Sequence, residues 1–419
     1  MDKFLIEGPT QLNGTVNISG AKNAALPIMT ACIAFPGLYT LNNVPDLRDT
    51  RTMVKLLEII GSKVVVNGNQ LIIDTTKCYN PEAPYDLVKT MRASFYVLGP
   101  LISRFGYCKV SLPGGCAWGP RPVDYHIKAL KELGADISLD GGYIIARGKL
   151  KGSTIQFENS SVGATGNILM AFVNLNDTVV IKNAAMEPEI VDLCHFLQKI
   201  GVSIDGIGTS TLKVQGVPSN TENQSFDYSI IPDRIEAGTF LIGAAMTGGS
   251  ITIENTNPNH LDIVIQKLKE AGCDISIKDS SITIKSSDVI KPVNMKTDIY
   301  PGFPTDLQAQ WVALMSVSSG KSYVEDTVYL DRFSHVPELN RLGAKIEMNK
   351  NIAYISGVPK LFSAEVMSTD IRASASLIIA ALTAEGKTKI SRIYHIDRGY
   401  EKIEEKLKKI NVKINRCND

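Results

Sequence analysis

One phrase recurs six times along this chain: an amphipathic helix, a glycine, then two short alternating runs. Its instances are LLEIIGSKVVVNGNQLII, LKELGADISLDGGYIIA, LQKIGVSIDGIGTSTLKVQG, LKEAGCDISIKDSSITIK, LNRLGAKIEMNKNIAYISG and a last one cut short, LKKINVKINRC. The residues that close the helices are Gly61, Gly134, Gly201, Gly272, Gly343 and Asn411, spaced 73, 67, 71, 71 and 68 apart. A period this regular rules out most single-domain folds, because each copy must be one supersecondary unit.

Each copy has the same internal grammar. In the first, Met53, Leu56, Leu57 and Ile60 follow the i, i+3, i+4, i+7 spacing of a helix with one apolar face. Gly61 is suited to the left-handed position that ends such a helix, and Asn411 to the same place in the last copy. KVVVNGNQLII predicts a hairpin turning at Asn-Gly. Upstream stands a more uniformly apolar helix and then a strand, as in ASFYVLGPLISRF followed by CKVSL. The unit is therefore βαβαββ.

A unit of about 70 residues is marginal alone, so copies are expected to group. Two globules of three copies is the economical division, with the hinge near 225–232. Stretches such as GTFLIGAAM and ASASLIIAAL are apolar all round and belong inside. Sheets then lie outside them. A cleft between the globules is the natural place for a ligand.

Composition narrows the class of partner. Lysine and arginine number 44 against 43 acidic residues, which offers no global field for nucleic acid. An anionic ligand would need local arginines. No apolar run reaches the ~20 residues of a membrane helix, and MDKFLIEGPTQ lacks the apolar core of a signal peptide. The seven cysteines are scattered, without CxxC or Cys/His ligand spacing. A reduced cytoplasm and no metal site are expected.

The second copy breaks the pattern. Where others carry compact connectors such as NNVPDLRD, NAAMEPE and NTNPNHLD, it carries SLPGGCAWGPRPVDYH. The residues leave two readings of Cys116 open: a small buried residue, or a working thiol on a lid-like loop. An ordinary thiol (pKa about 8.5) is a proton donor at neutral pH, and Arg121 beside it would favour the thiolate. His126 is the histidine nearest in sequence, but nothing around it resembles a protease dyad.

Cations stand at element boundaries: Lys22 beside Asn23, then Arg92, Arg121, Arg332, Arg372 and Arg398. Helix starts favour anions, and guanidinium forks match phosphate and carboxylate. Converging, they would bind a polyanion; singly, each is a solvated charge or a capping partner. Asp306 in FPTDLQAQ and Asp370 in MSTDIRASA suit helix caps, or a general base toward a hydroxyl.

The phrases SGAKNAALPI, YDLVKTMRAS, SLPGGCAWGPRPVD, SVGAT, PDRIEAGTF, FPTDLQAQ, HVPELNRLGA, TDIRASASL and YHIDRGYE resemble those of the UDP-N-acetylglucosamine 1-carboxyvinyltransferase family, from the first strand to the last helix. The resemblance implies an inside-out α/β barrel: two domains, each of three βαβαββ repeats, with buried helices and outer sheets. Residues 1–21 would cross back, giving domains at 22–229 and at 1–21 plus 230–419, with the active site in the cleft between them. The implied reaction transfers the enolpyruvyl group of phosphoenolpyruvate to the 3′-hydroxyl of UDP-N-acetylglucosamine by addition and elimination. Phosphate leaves, and neither cofactor nor metal takes part. Peptidoglycan synthesis, a monomer, and no nucleic-acid or membrane partner belong to the same expectation.

Residue by residue, Cys116 resembles the loop thiol that protonates the methylene carbon and is alkylated by fosfomycin. Lys22, Arg121 and Arg398 resemble the phosphoenolpyruvate cradle, and Asn23 the neighbour that touches both substrates. Asp306 resembles the acceptor of the hydroxyl proton. Arg92, the segment Arg121, Pro122, Val123, Asp124, Tyr125, the turn Ser160, Ser161, Val162, Gly163, and Val328 match nucleotide-sugar positions. Arg332, Asp370 and Arg372 match residues that polarise the cleft. Relatives often carry lysine where this chain has Arg48 and Asn159, and smaller residues at Trp118 and Tyr125. The rival enzyme on the same fold, 5-enolpyruvylshikimate-3-phosphate synthase, lacks the cysteine loop. A non-catalytic nucleotide-sugar sensor would be expected to have lost Cys116 or Asp306.

Overall fold

The computed structural model describes residues 2–112, 123–217 and 224–417. The chain divides into two compact units: Gly20–Ile231, and Met1–Ser19 together with Pro232–Asp419. Cys116, Arg121 and Pro122 lie outside the described residues.

The unit Gly20–Ile231 holds three four-stranded sheets of one design. Tyr107–Ser111 illustrates it: Glu82–Ala83 pairs with it in parallel, Tyr143–Arg147 antiparallel, and Asp136–Asp140 closes the hairpin outside. The other sheets centre on Leu38–Asn42 and Thr178–Lys182. Alternation decides which face points in: Tyr39 and Leu41 are buried in the first, Val179 and Ile181 in the second. The outermost strand Lys63–Asn67 departs from its composition, since Val65 and Val66 are exposed. It is an edge strand whose outer side has no layer to pack against.

Helices fill the middle of this unit. Every residue of Lys22–Ala34 is buried except Asn23. Leu98–Phe105 and Val162–Ala171 join it in a single apolar core. Lys22–Ala34 and Val162–Ala171 are covered nearly all round, whereas Leu98–Phe105 ends in half-buried Ser103, Arg104 and Phe105.

The second unit repeats the plan with helices Arg234–Met246, Gln308–Met315 and Ile371–Thr383. Two of its sheets draw on the N-terminus. Asn13–Asn17 is the parallel first strand beside Ser250–Glu254. Lys3–Gly8 pairs antiparallel with both Gly386–Ser391 and Ile414–Cys417. The sixth copy ends one strand early, and Lys3–Gly8 takes the missing central place, burying Phe4 and Ile6 completely.

All six helix-closing residues have positive φ, from 66° at Asn411 to 105° at Gly61. The left-handed turn is what lets each helix reverse directly into its hairpin. Among the described residues, each of the six sheets is an open row of four strands. No helix among the described residues is long and apolar enough to cross a membrane.

Candidate active site

In the unit containing the C-terminus, the residues before Gln308–Met315 form a short 3-10 turn, Thr305–Leu307. It presents Asp306. Arg372 Nη2 donates to Asp306 Oδ2 at 2.6 Å, and Arg332 Nη1 lies 2.8 Å from Oδ1. Both arginines are buried. Burial works against the carboxylate charge, but the two guanidinium groups outweigh it and hold Asp306 well below the usual carboxylate range. The anion is therefore the resting form, with a cation on each oxygen.

The arginines are themselves placed by neighbours. Asp370 caps the helix Ile371–Thr383 by accepting the backbone N–H groups of Arg372 and Ala373, which starts Arg372 on the first turn. Its guanidinium lies 5.6 Å from the Tyr400 ring centroid. Arg332 Nη1 also donates to Thr305 Oγ1 at 3.2 Å, and that hydroxyl donates to Asp326 Oδ2 at 2.6 Å. Asp326 is fully buried. Its Oδ1 accepts the Thr297 hydroxyl and the N–H groups of Val328 and Tyr329. One buried carboxylate thus ties Val328 to the support of Asp306. Arg372 Nη1 and Arg332 Nε have no hydrogen-bond partner among the described residues. Arg398 ends the 3-10 helix Ile393–Arg398 and is half-buried.

In the unit Gly20–Ile231, Lys22 is the first residue of its helix, after an Ala21 cap with no side-chain acceptor. Lys22 Nζ lies 3.2 Å from Asp49 Oδ2, and both residues are buried. Asn23 points outward from the same turn.

A second cluster forms around the helix Val162–Ala171. Ser161 caps it, its hydroxyl accepting the Ala164 N–H. Ser160, Ser161, Val162 and Gly163 are half-buried, as are Arg92, Val123 and Tyr125, while Asp124 is exposed. Tyr125 and Asn159 touch: Asn159 Nδ2 donates to the Tyr125 hydroxyl at 3.0 Å. Two of the four expected departures from the family pattern are thus one hydrogen-bonded pair. Arg48 is exposed at the start of its helix.

Sequence reasoning missed Asp49, Asp326 and Tyr400. Each supports a candidate residue from a distant stretch, and no local spacing marks them. Only Asp326 left a trace: its connector carries aspartate where the equivalent connectors carry Asn43, Asn183 and Asn255, all of positive φ. The six described cysteines are free thiols, five of them buried. Burial pushes Cys108 and Cys194 up to about 12.

A profile of the family described as EPSP synthase (3-phosphoshikimate 1-carboxyvinyltransferase) matches residues 6–407. A protein named UDP-N-acetylglucosamine 1-carboxyvinyltransferase from Chloroherpeton thalassium is 52% identical over 99% of this chain and 97% of its own. One of the same name from Geotalea daltonii is 49% identical over 100% of both. Among solved structures, the enolpyruvyl transferase NikO from Streptomyces tendae superposes with a TM-score of 0.90 at 23% identity, covering 100% of this chain and 99% of its own. EPSP synthase from Acinetobacter baumannii gives 0.77 at 17% identity over 100% of both chains. The two structures share the fold.

Proposed function

Since the chain belongs to the UDP-N-acetylglucosamine 1-carboxyvinyltransferases, within the EPSP synthase family, we propose that it makes carboxyvinyl-UDP-N-acetylglucosamine from phosphoenolpyruvate and UDP-N-acetylglucosamine. The observation that carries this is identity of about one half over essentially the whole length of relatives so named.

The residue roles are those that the family resemblance implies. The sugar 3′-oxygen bonds to C2 of phosphoenolpyruvate while its proton passes to Asp306. The Cys116 thiol gives a proton to C3, which completes a tetrahedral phosphate ketal. Loss of phosphate from C2 and of a proton from C3 restores the vinyl group. A carboxylate with a guanidinium on each oxygen is a poor base until one arginine turns to an incoming anion. Arg332 and Arg372 are each suited to that exchange, since a substrate phosphate or carboxylate offers the same bidentate partner.

Lys22, Arg121 and Arg398 neutralise phosphoenolpyruvate, with Asn23 between the substrates. Arg92, residues 121–125, the Ser160–Gly163 turn and Val328 hold the nucleotide sugar. Arg332, Asp370 and Arg372 polarise the reacting groups. Alkylation of Cys116 by fosfomycin, a monomeric state, a cytoplasmic location and a role in peptidoglycan synthesis belong to the same proposal.

The test is phosphate release from phosphoenolpyruvate with UDP-N-acetylglucosamine or shikimate 3-phosphate as acceptor. Release with the nucleotide sugar alone supports the proposal. Release with shikimate 3-phosphate moves the chain to the rival activity.

A further inference from the structure

The helix Val162–Ala171 begins beside a buried imidazole that no role above employs. His126 is 8% exposed, on the helix Asp124–Glu132. Its environment fixes which nitrogen carries the proton, one link at a time. The Gly99 backbone N–H donates to Asn167 Oδ1 at 2.8 Å, so that atom is the amide's oxygen. The amide's other end, Nδ2, donates to the Phe95 carbonyl at 3.3 Å. The same Nδ2 stands 2.8 Å from His126 Nδ1. A donor faces Nδ1, so Nδ1 must accept, and the ring proton sits on Nε2. Burial, with the charge of Arg92 adding to it, pushes the imidazole down to about 3. The ring is thus neutral at physiological pH.

The assembly is close-packed. A methyl group at Gly99 would meet the Asn167 carbonyl at 2.2 Å, so the helices Leu98–Phe105 and Val162–Ala171 pack backbone to backbone there. The Phe95 ring meets the imidazole edge-on, 5.0 Å between centroids.

His126 Nε2 faces the helix start. A Cβ built on Gly163 would lie 3.1 Å from it, and no hydrogen bond to Nε2 is formed among the described residues. Ser161 supplies acceptors for the N–H groups of Ala164 and Thr165 only. The first two helical N–H groups, Val162 and Gly163, have no acceptor within the helix. Three donors therefore gather at one place: two backbone N–H groups and Nε2–H. Gly163 keeps the imidazole within reach, because any side chain would push it away.

We infer that His126 is a phosphate-binding residue, donating Nε2–H to a diphosphate oxygen of the nucleotide sugar seated on the Val162–Ala171 helix start, with Asn167 as the positioning residue that fixes its tautomer. This rests on the carboxyvinyl-transfer reading for the identity of the ligand. The donor set itself does not depend on it.

The test labels the five histidines with nitrogen-15 and reads their tautomers by long-range proton–nitrogen correlation. His126→Phe assigns the signal. The wild-type signal is expected to show Nε2–H and unprotonated Nδ1 from pH 6 to 8. UDP should move Nε2, and phosphoenolpyruvate alone should not. His126→Phe should raise KM for UDP-N-acetylglucosamine about tenfold, the loss of one hydrogen bond to a charged group, and more than it alters kcat or the KM for phosphoenolpyruvate. An Nδ1–H tautomer, an imidazolium at pH 7, or a signal indifferent to UDP would overturn the inference. A signal that responds to UDP in a protein without turnover would leave the site standing and remove the reaction.

Discussion

Arg372 holds Asp306 through Nη2 and Oδ2 at 2.6 Å, with Arg332 on the other oxygen. The carboxylate is at once a structural counter-ion and the proposed base. Asp306→Asn separates the roles. Loss of the base should lower kcat by roughly 10²–10⁴-fold, while nucleotide-sugar binding measured by calorimetry persists. Two buried guanidinium groups would lose their counter-ion, so the melting temperature should fall as well. The folded pKa is depressed, so Asp306 stabilises the protein above the ordinary value near 3.9 and ceases to as pH falls through the folded value. The variant should therefore show a shallower loss of stability below about pH 4. A near-normal rate would remove Asp306 as the base.

The buried pair Lys22–Asp49 allows a second separation. Lys22→Met removes the cation 3.2 Å from the buried Asp49 carboxylate and should lower stability. Lys22→Met with Asp49→Leu should recover most of that stability in a urea titration. Activity should stay lost in both, because the proposed function assigns this cation to phosphoenolpyruvate. If the double variant regains turnover, Lys22 is structural only.

Asp192 is expected to cost stability at neutral pH. It accepts the Tyr228 hydroxyl at 2.7 Å, yet burial pushes it up to about 6. A carboxyl raised above its ordinary value contributes stability fully below about pH 4, and that contribution is lost as pH rises through about 6. Asp192→Asn should gain on the wild type by on the order of 1–3 kcal/mol between pH 4.5 and 7.5. Equal stability differences at the two pH values would contradict the burial argument.

Five of the described cysteines are buried, which makes Cys116 testable by reactivity. Maleimide labelling of the folded protein should include one site that fosfomycin blocks and Cys116→Ala removes. Cys116→Asp keeps a proton donor without a thiol, and should turn over in the presence of fosfomycin. Inhibition of that variant would show that the drug acts elsewhere.

The strand Lys3–Gly8 stands centrally in a sheet whose neighbours come from the far end of the chain. Phe4→Ala should cost about 3–5 kcal/mol, and removal of residues 2–8 should prevent the unit from folding. Chemical denaturation of the full chain measures the first, and proteolysis the second. A truncated chain that keeps native protease resistance would show that the strand is an accessory.

Much of this protein was legible in its sequence because its signals are local. Six helix-closing residues at near-constant spacing define the repeat, and each takes the left-handed backbone that glycine and asparagine tolerate. Alternation and all-round apolar stretches assign outer sheets and inner helices, since burial acts through each residue's own surface. Candidate chemistry was legible as residue types at helix starts. What only the tertiary structure decided are relations between distant stretches. Lys3–Gly8 completes the truncated sixth copy because an unpaired central place in a sheet accepts any strand of matching register and alternation. Asp306 is anionic because Arg332 arrives from a later connector of its own copy and Arg372 from the next copy. His126 becomes a neutral donor because Gly99, Phe95 and Asn167 fix one amide. Charge state and tautomer depend on what faces a group across space, and a one-dimensional spacing carries no record of that.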